Sequence, residues 1–415
     1  MRICKETISF LGLLLCVAHL TAGTITPQSQ ILKSEVADVN NDKQPDIILL
    51  TAQNGKEQLE IYLGGKGTAT GKADIVTAIQ DGAGSSNLNT GTAGGKTYIL
   101  VTGNRQRIFI FNPDDQFKTS FVNQSANQWT ANCFTGSLLT DGTSFDILHG
   151  ACLRRFTPPD KIQHGYFYGP QQNNNHSGYF CDLNMDGEND VVFAVKGQPL
   201  IRLYYAPFYG KMKFIPKELS EFVELKTPLY ISDIAIGDLN GDTRPDIAAT
   251  TLTEYGRASR KTYLFFQNSP AGFTNGASPN LTIPGNGIPV IEKGALYLID
   301  RKSGVLRIFR NGKFDKPAAT LKTGLTDIHT FKFKDGLFLI SGISRDRKSE
   351  VRWGNSAEAL AEVPVNTAKK KHAVSFPHYM GAVYPAPQKA VYGKQWIPLN
   401  NVRIIPDGIA ADDLR

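Results

Sequence analysis

The stretch Cys181-Asp182-Leu183-Asn184-Met185-Asp186-Gly187-Glu188-Asn189-Asp190-Val191-Val192-Phe193 carries oxygen-bearing side chains at every second position and then turns abruptly apolar. Asp182, Asn184, Asp186 and Asp190 stand at positions 1, 3, 5 and 9 of a nine-residue loop, with the backbone carbonyl of Glu188 available at position 7. Hard cations such as Ca²⁺ take six to eight oxygen ligands, and this spacing wraps one tight turn of backbone around such an ion. The stretch therefore reads as a cation loop feeding a strand.

Two further copies match it position for position. Asp38-Val39-Asn40-Asn41-Asp42-Lys43-Gln44-Pro45-Asp46 runs into Ile47-Ile48-Leu49-Leu50, and Asp238-Leu239-Asn240-Gly241-Asp242-Thr243-Arg244-Pro245-Asp246 runs into Ile247-Ala248-Ala249. An EF-hand needs an acidic ligand at position 12 and an exiting helix. Position 12 here is Leu49, Phe193 or Ala249, each inside an apolar run, so EF-hand and dockerin-type loops are excluded. A fourth, degenerate copy, Asp141-Gly142-Thr143-Ser144-Phe145-Asp146, lacks the first two ligands and is expected to hold metal weakly or not at all.

Around these loops the chain is rich in turns, with 39 Gly and 22 Pro. It lacks long stretches of 3.6-residue apolar periodicity, which points to a mostly β protein. An alternating aromatic strand, a polar turn and another aromatic recur at Ile108–Phe111 with Phe117, Leu203–Tyr205 with Phe214, Leu264–Phe266 with Phe273, and Leu306–Phe309 with Phe314. These segments suit the outer hairpins of a repeated sheet. Units counted by their first inner strand begin near Val36, Lys96, Ser137, Tyr179, Ile234, Ala295 and Leu337. Spacings of roughly 40 to 60 residues are those of propeller blades. The expected fold is all-β, a seven-bladed β-propeller with calcium-binding loops in some blades.

Three Asp-x-Asn-x-Asp-x-x-x-Asp loops, each between apolar strands in repeats of blade length, make residues 35 to 360 resemble the FG-GAP/VCBS repeat family, which includes the propeller head of integrin α subunits. The resemblance implies up to three Ca²⁺ ions. Their ligands would be Asp38, Asn40, Asp42, Gln44 and Asp46; Asp182, Asn184, Asp186, Glu188 and Asp190; and Asp238, Asn240, Asp242, Arg244 and Asp246. The family's glycine at position 6 survives only as Gly187. Lys43 and Thr243 must adopt that turn at some conformational cost, which marks 182–190 as the best-formed loop. Pro45 and Pro245 at position 8 preorganise the other two.

Residues 1–23 have the layout of a secretory signal peptide: Arg2 and Lys5, the apolar run Ile8 to Leu20, then Thr21-Ala22-Gly23. An apolar run of about 13 residues is too short to span a membrane, where roughly 20 are needed, and no later segment is apolar enough. The expected organisation is leader 1–23, propeller 24–365, and a C-terminal extension 366–415 that closes the ring, wraps it or extends from it. The expected location is secreted or extracellular, or periplasmic or cell-surface in a bacterium. Cys133, Cys152 and Cys181 remain after cleavage, allowing at most one internal disulfide, with Cys133–Cys152 the plausible pair. Net charge is +7, and a leader with Arg2 and Lys5 against Glu6 takes one away to leave +6. The largest basic cluster, Lys369-Lys370-Lys371-His372, reads as a solvated segment, and no nucleic-acid partner is expected.

Signals for catalysis are weak. The seven histidines are scattered, and no Gly-x-Ser-x-Gly elbow or metalloprotease spacing occurs. His149 and Cys152 have no second pair to complete a metal site. Gly91-Thr92-Ala93-Gly94-Gly95-Lys96-Thr97 is one residue short of a phosphate loop and leads into a strand, so it reads as a turn between blades. Two functions remain. One is a non-enzymatic binding or adhesion platform for an extracellular protein or glycan. The other is a propeller-type lectin or carbohydrate-active enzyme using Trp129, Trp353 or Trp396 as sugar platforms. Asn123, Asn175 and Asn280 begin glycosylation sequons.

Overall fold

The apolar runs that follow the loops, such as Ile47-Ile48-Leu49-Leu50, do not alternate with polar residues because both faces of their strands are buried. In the computed structural model each such strand lies second in a four-stranded antiparallel sheet, and seven sheets stand as the blades of a β-propeller. Residues 22–361 are described apart from 65–70, 80–84, 104–106, 125–132, 139–140, 150–151, 167–174, 196–197, 207–221 and 252–259, as are strands at 389–392, 395–398, 404–405 and 408–409. The leader segment through residue 21, Trp129, Phe214, Ser125 of the first sequon, the Lys369–His372 cluster and residues 366–388 of the extension lie outside the described residues. So do the side chains of His149, Cys152, Asn175 and Trp396.

The inner strands, in blade order, are Gln30–Ala37, Ser85–Ala93, Cys133–Gly136, Asn175–Cys181, Ile231–Gly237, Ile288–Glu292 and Leu325–Lys334. Within blades 1 to 6 the strands run in sequence order from the inner to the outer edge. Between every pair of adjacent blades lies one apolar core, seven in all. In blade 1, Ile48 and Leu50 face blade 2 while Ile47 and Leu49 face blade 7. The two-residue side-chain period thus serves two cores at once. Among the described residues there is no α-helix, only 3₁₀ turns at Pro113–Asp115 and Ala357–Leu360.

The aromatic segments occupy third strands, including Arg107–Phe111, Leu200–Tyr204, Lys261–Phe265 and Val305–Arg310, each paired with the blade's outer strand. Three of the expected unit starts are displaced by one strand. Lys96, Ala295 and Leu337 begin second strands. In these blades the inner strand turns into the second through two left-handed residues, Gly94-Gly95, Lys293-Gly294 and Asp335-Gly336, the backbone of a tight hairpin. Gly94-Gly95 is therefore a hairpin within blade 2 and not a turn between blades. It replaces the loop, and the polar inner strand Ser85–Ala93 before it carries little apolar signal.

The ring closes through Ala22–Ile25, which pairs with Ser349–Gly354 as the fourth strand of blade 7. This is the place the sequence left open to the C-terminal extension, and the strand takes in Ala22 and Gly23 from the end of the segment read as leader. Ile25 is fully buried, and Gly23 lies against the Trp353 ring. Trp353, 2% exposed, packs in the core between blades 7 and 1 and cannot serve as a sugar platform. Cys133 is a free thiol. It pairs in register with His149, which in turn pairs with Cys152, so the two cysteines lie two strands apart. That is roughly 9–10 Å, beyond the ~7 Å reach of a disulfide. Residues 362–415 form a separate unit with hairpins pairing Lys389–Tyr392 with Gln395–Pro398 and Ile404–Ile405 with Gly408–Ile409. No described helix is long and apolar enough to cross a membrane.

Candidate functional site: three repeated acidic loops

In blades 1, 4 and 5 the nine-residue loops join the inner strand to the second strand, so all three emerge on the same rim of the ring. Their hydrogen bonds repeat. The position-1 carboxylate accepts two loop N–H groups: Asp42 and Lys43 on Asp38 (3.2 and 2.8 Å), Asp186 and Gly187 on Asp182 (3.1 and 2.9 Å). Asp238 accepts three, from Asn240, Gly241 and Thr243 (3.2, 2.7 and 2.8 Å), the position-4 N–H taking the place of the position-5 one. The position-3 amide oxygen accepts from the N–H at position 5, and its nitrogen donates to the position-5 carboxylate, in all three copies. That carboxylate accepts from the N–H at position 7. These are the Asp and Asn side-chain turns that let a loop fold on itself without a strand partner.

Position 9 is different, because Asp46, Asp190 and Asp246 are fully buried. One oxygen of each accepts the N–H at position 2 (Val39, Leu183, Leu239; 2.8, 2.8 and 2.9 Å). The other accepts an N–H just past the third strand (Gly64, Ala206, Gln267; 2.6, 2.7 and 2.9 Å). Burial pushes Asp46 and Asp190 up to about 6; these N–H groups pull the other way and the neighbouring loop carboxylates add to the rise. Asp246 is raised for the same reasons.

Left-handed backbone is required at two loop positions. Lys43, Gly187 and Thr243 at position 6 have φ of 65°, 92° and 70°, confirming the cost expected for Lys43 and Thr243. Position 4 needs it as well: Asn41, Met185 and Gly241 have φ of 60°, 60° and 84°. Loops 182–190 and 238–246 thus each have glycine at one of the two positions, and Gly187 alone does not rank them. Loop 238–246 also carries its own cation. The Arg244 guanidinium pairs with the Asp242 carboxylate and donates to the Gln267 carbonyl at 2.8 Å. Burial pushes Asp242 up, but the Arg244 N–H, the Asn240 amide and that guanidinium hold it below the usual carboxylate value.

Blade 3 shows what replaces a complete loop. Asp146 is fully buried and accepts the Leu138 N–H at 2.7 Å. Its remaining capacity is met by Arg155 on the adjacent strand, Nε on Oδ1 at 2.9 Å and Nη2 on Oδ2 at 3.0 Å. Sequence reasoning missed this pair, since Arg155 reaches Asp146 only through strand register.

Among the described residues no group of three or more His, Cys, Asp or Glu converges as a metal cage. The donor set of each loop is nonetheless suited to a hard cation: carboxylates at positions 1 and 5, an amide oxygen at 3, a carbonyl at 7, and at 9 a buried carboxylate that, unlike Asp146, has no arginine. Asp38, Asn40, Asp42, Gln44 and Asp46 would hold an ion in blade 1. Asp182, Asn184, Asp186, Glu188 and Asp190 would do so in blade 4, and Asp238, Asn240, Asp242, Arg244 and Asp246 in blade 5. Such an ion would neutralise the crowded carboxylates.

No protein-family model matches the chain, and no curated protein does. Among solved structures it is similar to the β-propeller domain of Cps50 (Swd1) from Myceliophteria thermophila, with 9% identity, a TM-score of 0.51, and coverage of 80% of this chain and 100% of that one. The likeness is one of fold. The class of protein defined here is a seven-bladed β-propeller, a scaffold suited in general to binding other proteins.

Proposed function

We propose that this chain is an exported, calcium-stabilised propeller of FG-GAP/VCBS type that works by binding an extracellular protein or glycan and performs no catalysis. One observation carries the metal half of the reading. Three loops on one rim share the same donor types and nearly the same hydrogen bonds, and each ends on a buried aspartate that blade 3 supplies with an arginine instead. Without a cation each loop holds three carboxylates close together, and Ca²⁺ relieves that repulsion and couples binding to stability.

The partner-binding half rests on the loop-bearing rim. A groove of about 520 Å³ runs beside the first loop between blades 1 and 2, lined by Asn40, Asn41, Asp74, Lys96, Asp114 and Phe117. Its size is that of a ligand cleft, and its polar lining suits a glycan or peptide. The experiment is calorimetric titration of the protein with Ca²⁺ alongside melting curves with and without EDTA. Uptake of two to three ions and a lower melting temperature in EDTA are expected, and Asp182→Asn with Asp186→Asn should remove one ion. No Ca²⁺ uptake and no EDTA effect would sink the metal half. Loss of partner capture on a glycan or extracellular-protein array after Asn41→Arg would support the groove.

A further inference from the structure

The inner strands of all seven blades surround a central channel of about 510 Å³. Its acidic and basic lining side chains are Lys33, Glu35, Asp233, Arg301, His329, Lys332 and Lys334; Cys133 and Tyr179 line it too, each held neutral by burial. Fixed cations outnumber carboxylates four to two, and the two carboxylates are already engaged. Glu35, 3% exposed, receives Lys332 Nζ at 2.5 Å and lies 3.9 Å from Lys334 Nζ, which also reaches Thr90 Oγ1 at 2.7 Å. Asp233 is held on both oxygens by Arg301 Nη2, at 2.8 and 2.9 Å.

That leaves Lys33 and His329. Among the described residues the Lys33 ammonium makes no hydrogen bond or ion pair, and His329 Nε2 is buried without a partner. Burial and the nearby Arg301 charge push Lys33 down to about 8, with Lys332 adding to the fall and Asp233 opposing it. Burial and the Lys33 charge lower His329. Lys33 is half-buried, and its nearest carboxylate, Asp233, is already held on both oxygens by Arg301; a cation partly withdrawn from water without a counter-charge of its own is costly. A folded protein that keeps one facing a channel leaves room for an anion there.

The placement is repeated and not accidental. Lys33, Ser177 and Asp233 stand five residues before the first aspartate of loops 1, 4 and 5, each just after a register shift in its inner strand. A further shift, between Thr326 and Thr330, contains His329 itself, just before the strand regains its register at Thr330. Bulges of this kind re-aim side chains. Five residues of strand put this mouth roughly 16 Å from the acidic loops, at the opposite end of the inner strands.

We propose that the mouth of the channel, between Lys33, Arg301 and His329, binds a small oxyanion, a phosphate or carboxylate group either free or carried on a small metabolite. Arg301 keeps its hold on Asp233 and offers its remaining N–H groups, Lys33 supplies the uncompensated charge, and His329 Nε2 supplies a hydrogen bond. The site is independent of the calcium reading and is tested separately from it.

The test compares inorganic phosphate, acetate and glucose 6-phosphate with chloride at constant ionic strength, by melting curves and calorimetry, on EDTA-treated and Ca²⁺-loaded protein. A saturable rise in melting temperature at millimolar phosphate or acetate is expected in both metal states. Tighter binding of glucose 6-phosphate than of phosphate would point to a sugar-borne group, and the reverse to a free ion. Lys33→Met should weaken binding at least tenfold while melting in chloride no lower than the parent, because it removes an unpaired cation. His329→Gln should weaken binding several-fold, and Lys33→Arg should retain it. If no oxyanion differs from chloride, or if Lys33→Met binds as the parent does, the proposal is wrong. Should Lys33→Met fail to fold, equal binding by the parent and His329→Gln would overturn the assignment in its place.

Discussion

Replacing Arg155 by methionine isolates the one blade in which a side chain does what the loops are proposed to leave to an ion. The substitution keeps the length of the aliphatic stem and strands Asp146, fully buried, with the Leu138 N–H as its remaining partner among the described residues. Breaking a buried pair by removing one member costs about 3–5 kcal/mol, mostly the penalty of an uncompensated buried charge. The ring spans residues 22–361, or 340 residues. At about 2.1 cal/mol/K per residue its unfolding entropy is about 0.7 kcal/mol/K. The expected fall in melting temperature is therefore about 4–7 °C. Burial already raises the Asp146 carboxyl above its usual value, and Arg155 opposes that rise, so Arg155→Met raises it further. An acid with a raised folded-state value loses stability as pH climbs from its unfolded value through the folded one. The penalty should thus be larger at pH 8 than at pH 5. Paired Asp146→Asn and Arg155→Met should recover more than half of the loss, since no charge remains to be stranded. Differential scanning calorimetry of the three variants at both pH values is the assay. A loss under about 1 kcal/mol, a loss that does not vary with pH, or a double variant as unstable as the single would refute the reasoning.

Three further outcomes follow from the same structure. Arg244→Gln removes the resident cation from Asp242 and should raise Ca²⁺ affinity at loop 238–246 several-fold, read as a steeper calorimetric titration, while leaving the other loops unchanged. Lys33 is a base with a depressed folded-state value, so its penalty is fully present below pH 8 and fades as pH rises from about 8 to 10.5. With Arg301, Asp233, Lys332 and His329 as its charged neighbours, the parent should gain up to about 3 kcal/mol relative to Lys33→Met across that window in chloride. Denaturant titrations that run parallel would contradict this. Gly23→Val would place a Cβ 2.0 Å from the Trp353 ring. It should cost about 1–3 kcal/mol and make the segment before Ser29 the first site of limited proteolysis.

The blades with loops were legible because their signals are local. Nine residues of fixed spacing, followed by a run such as Asp190-Val191-Val192-Phe193, mark a loop and a strand buried on both faces. Blades 2, 6 and 7 were blurred because a two-residue hairpin leaves little trace and, in blade 2, the inner strand Ser85–Ala93 is polar, although Gly94-Gly95, Lys293-Gly294 and Asp335-Gly336 are hairpin signals that place the missing strands once the ring is known. The spacing of the loop aspartates was visible, but the left-handed turn at position 4 was not, because Asn41, Met185 and Gly241 share no side-chain chemistry. Arg155 and the channel residues were out of reach for a different reason. Lys33, Asp233, Arg301 and His329 come from four blades and meet only because the ring curves them together.

Closure by Ala22–Ile25 also sets a schedule. The Ser349 hydroxyl that caps the Ile31 N–H lies 318 residues along the chain from it. During synthesis the first blade therefore waits for the last, and the unlatched intermediate exposes the edge of Ser349–Gly354 together with the Trp353 face. Sheet pairing over such separations is slow and aggregation-exposed. An affinity tag or fusion placed just ahead of Ala22 would hang on the latch itself, so its length and charge should affect refolding yield far more than a similar addition following residue 361.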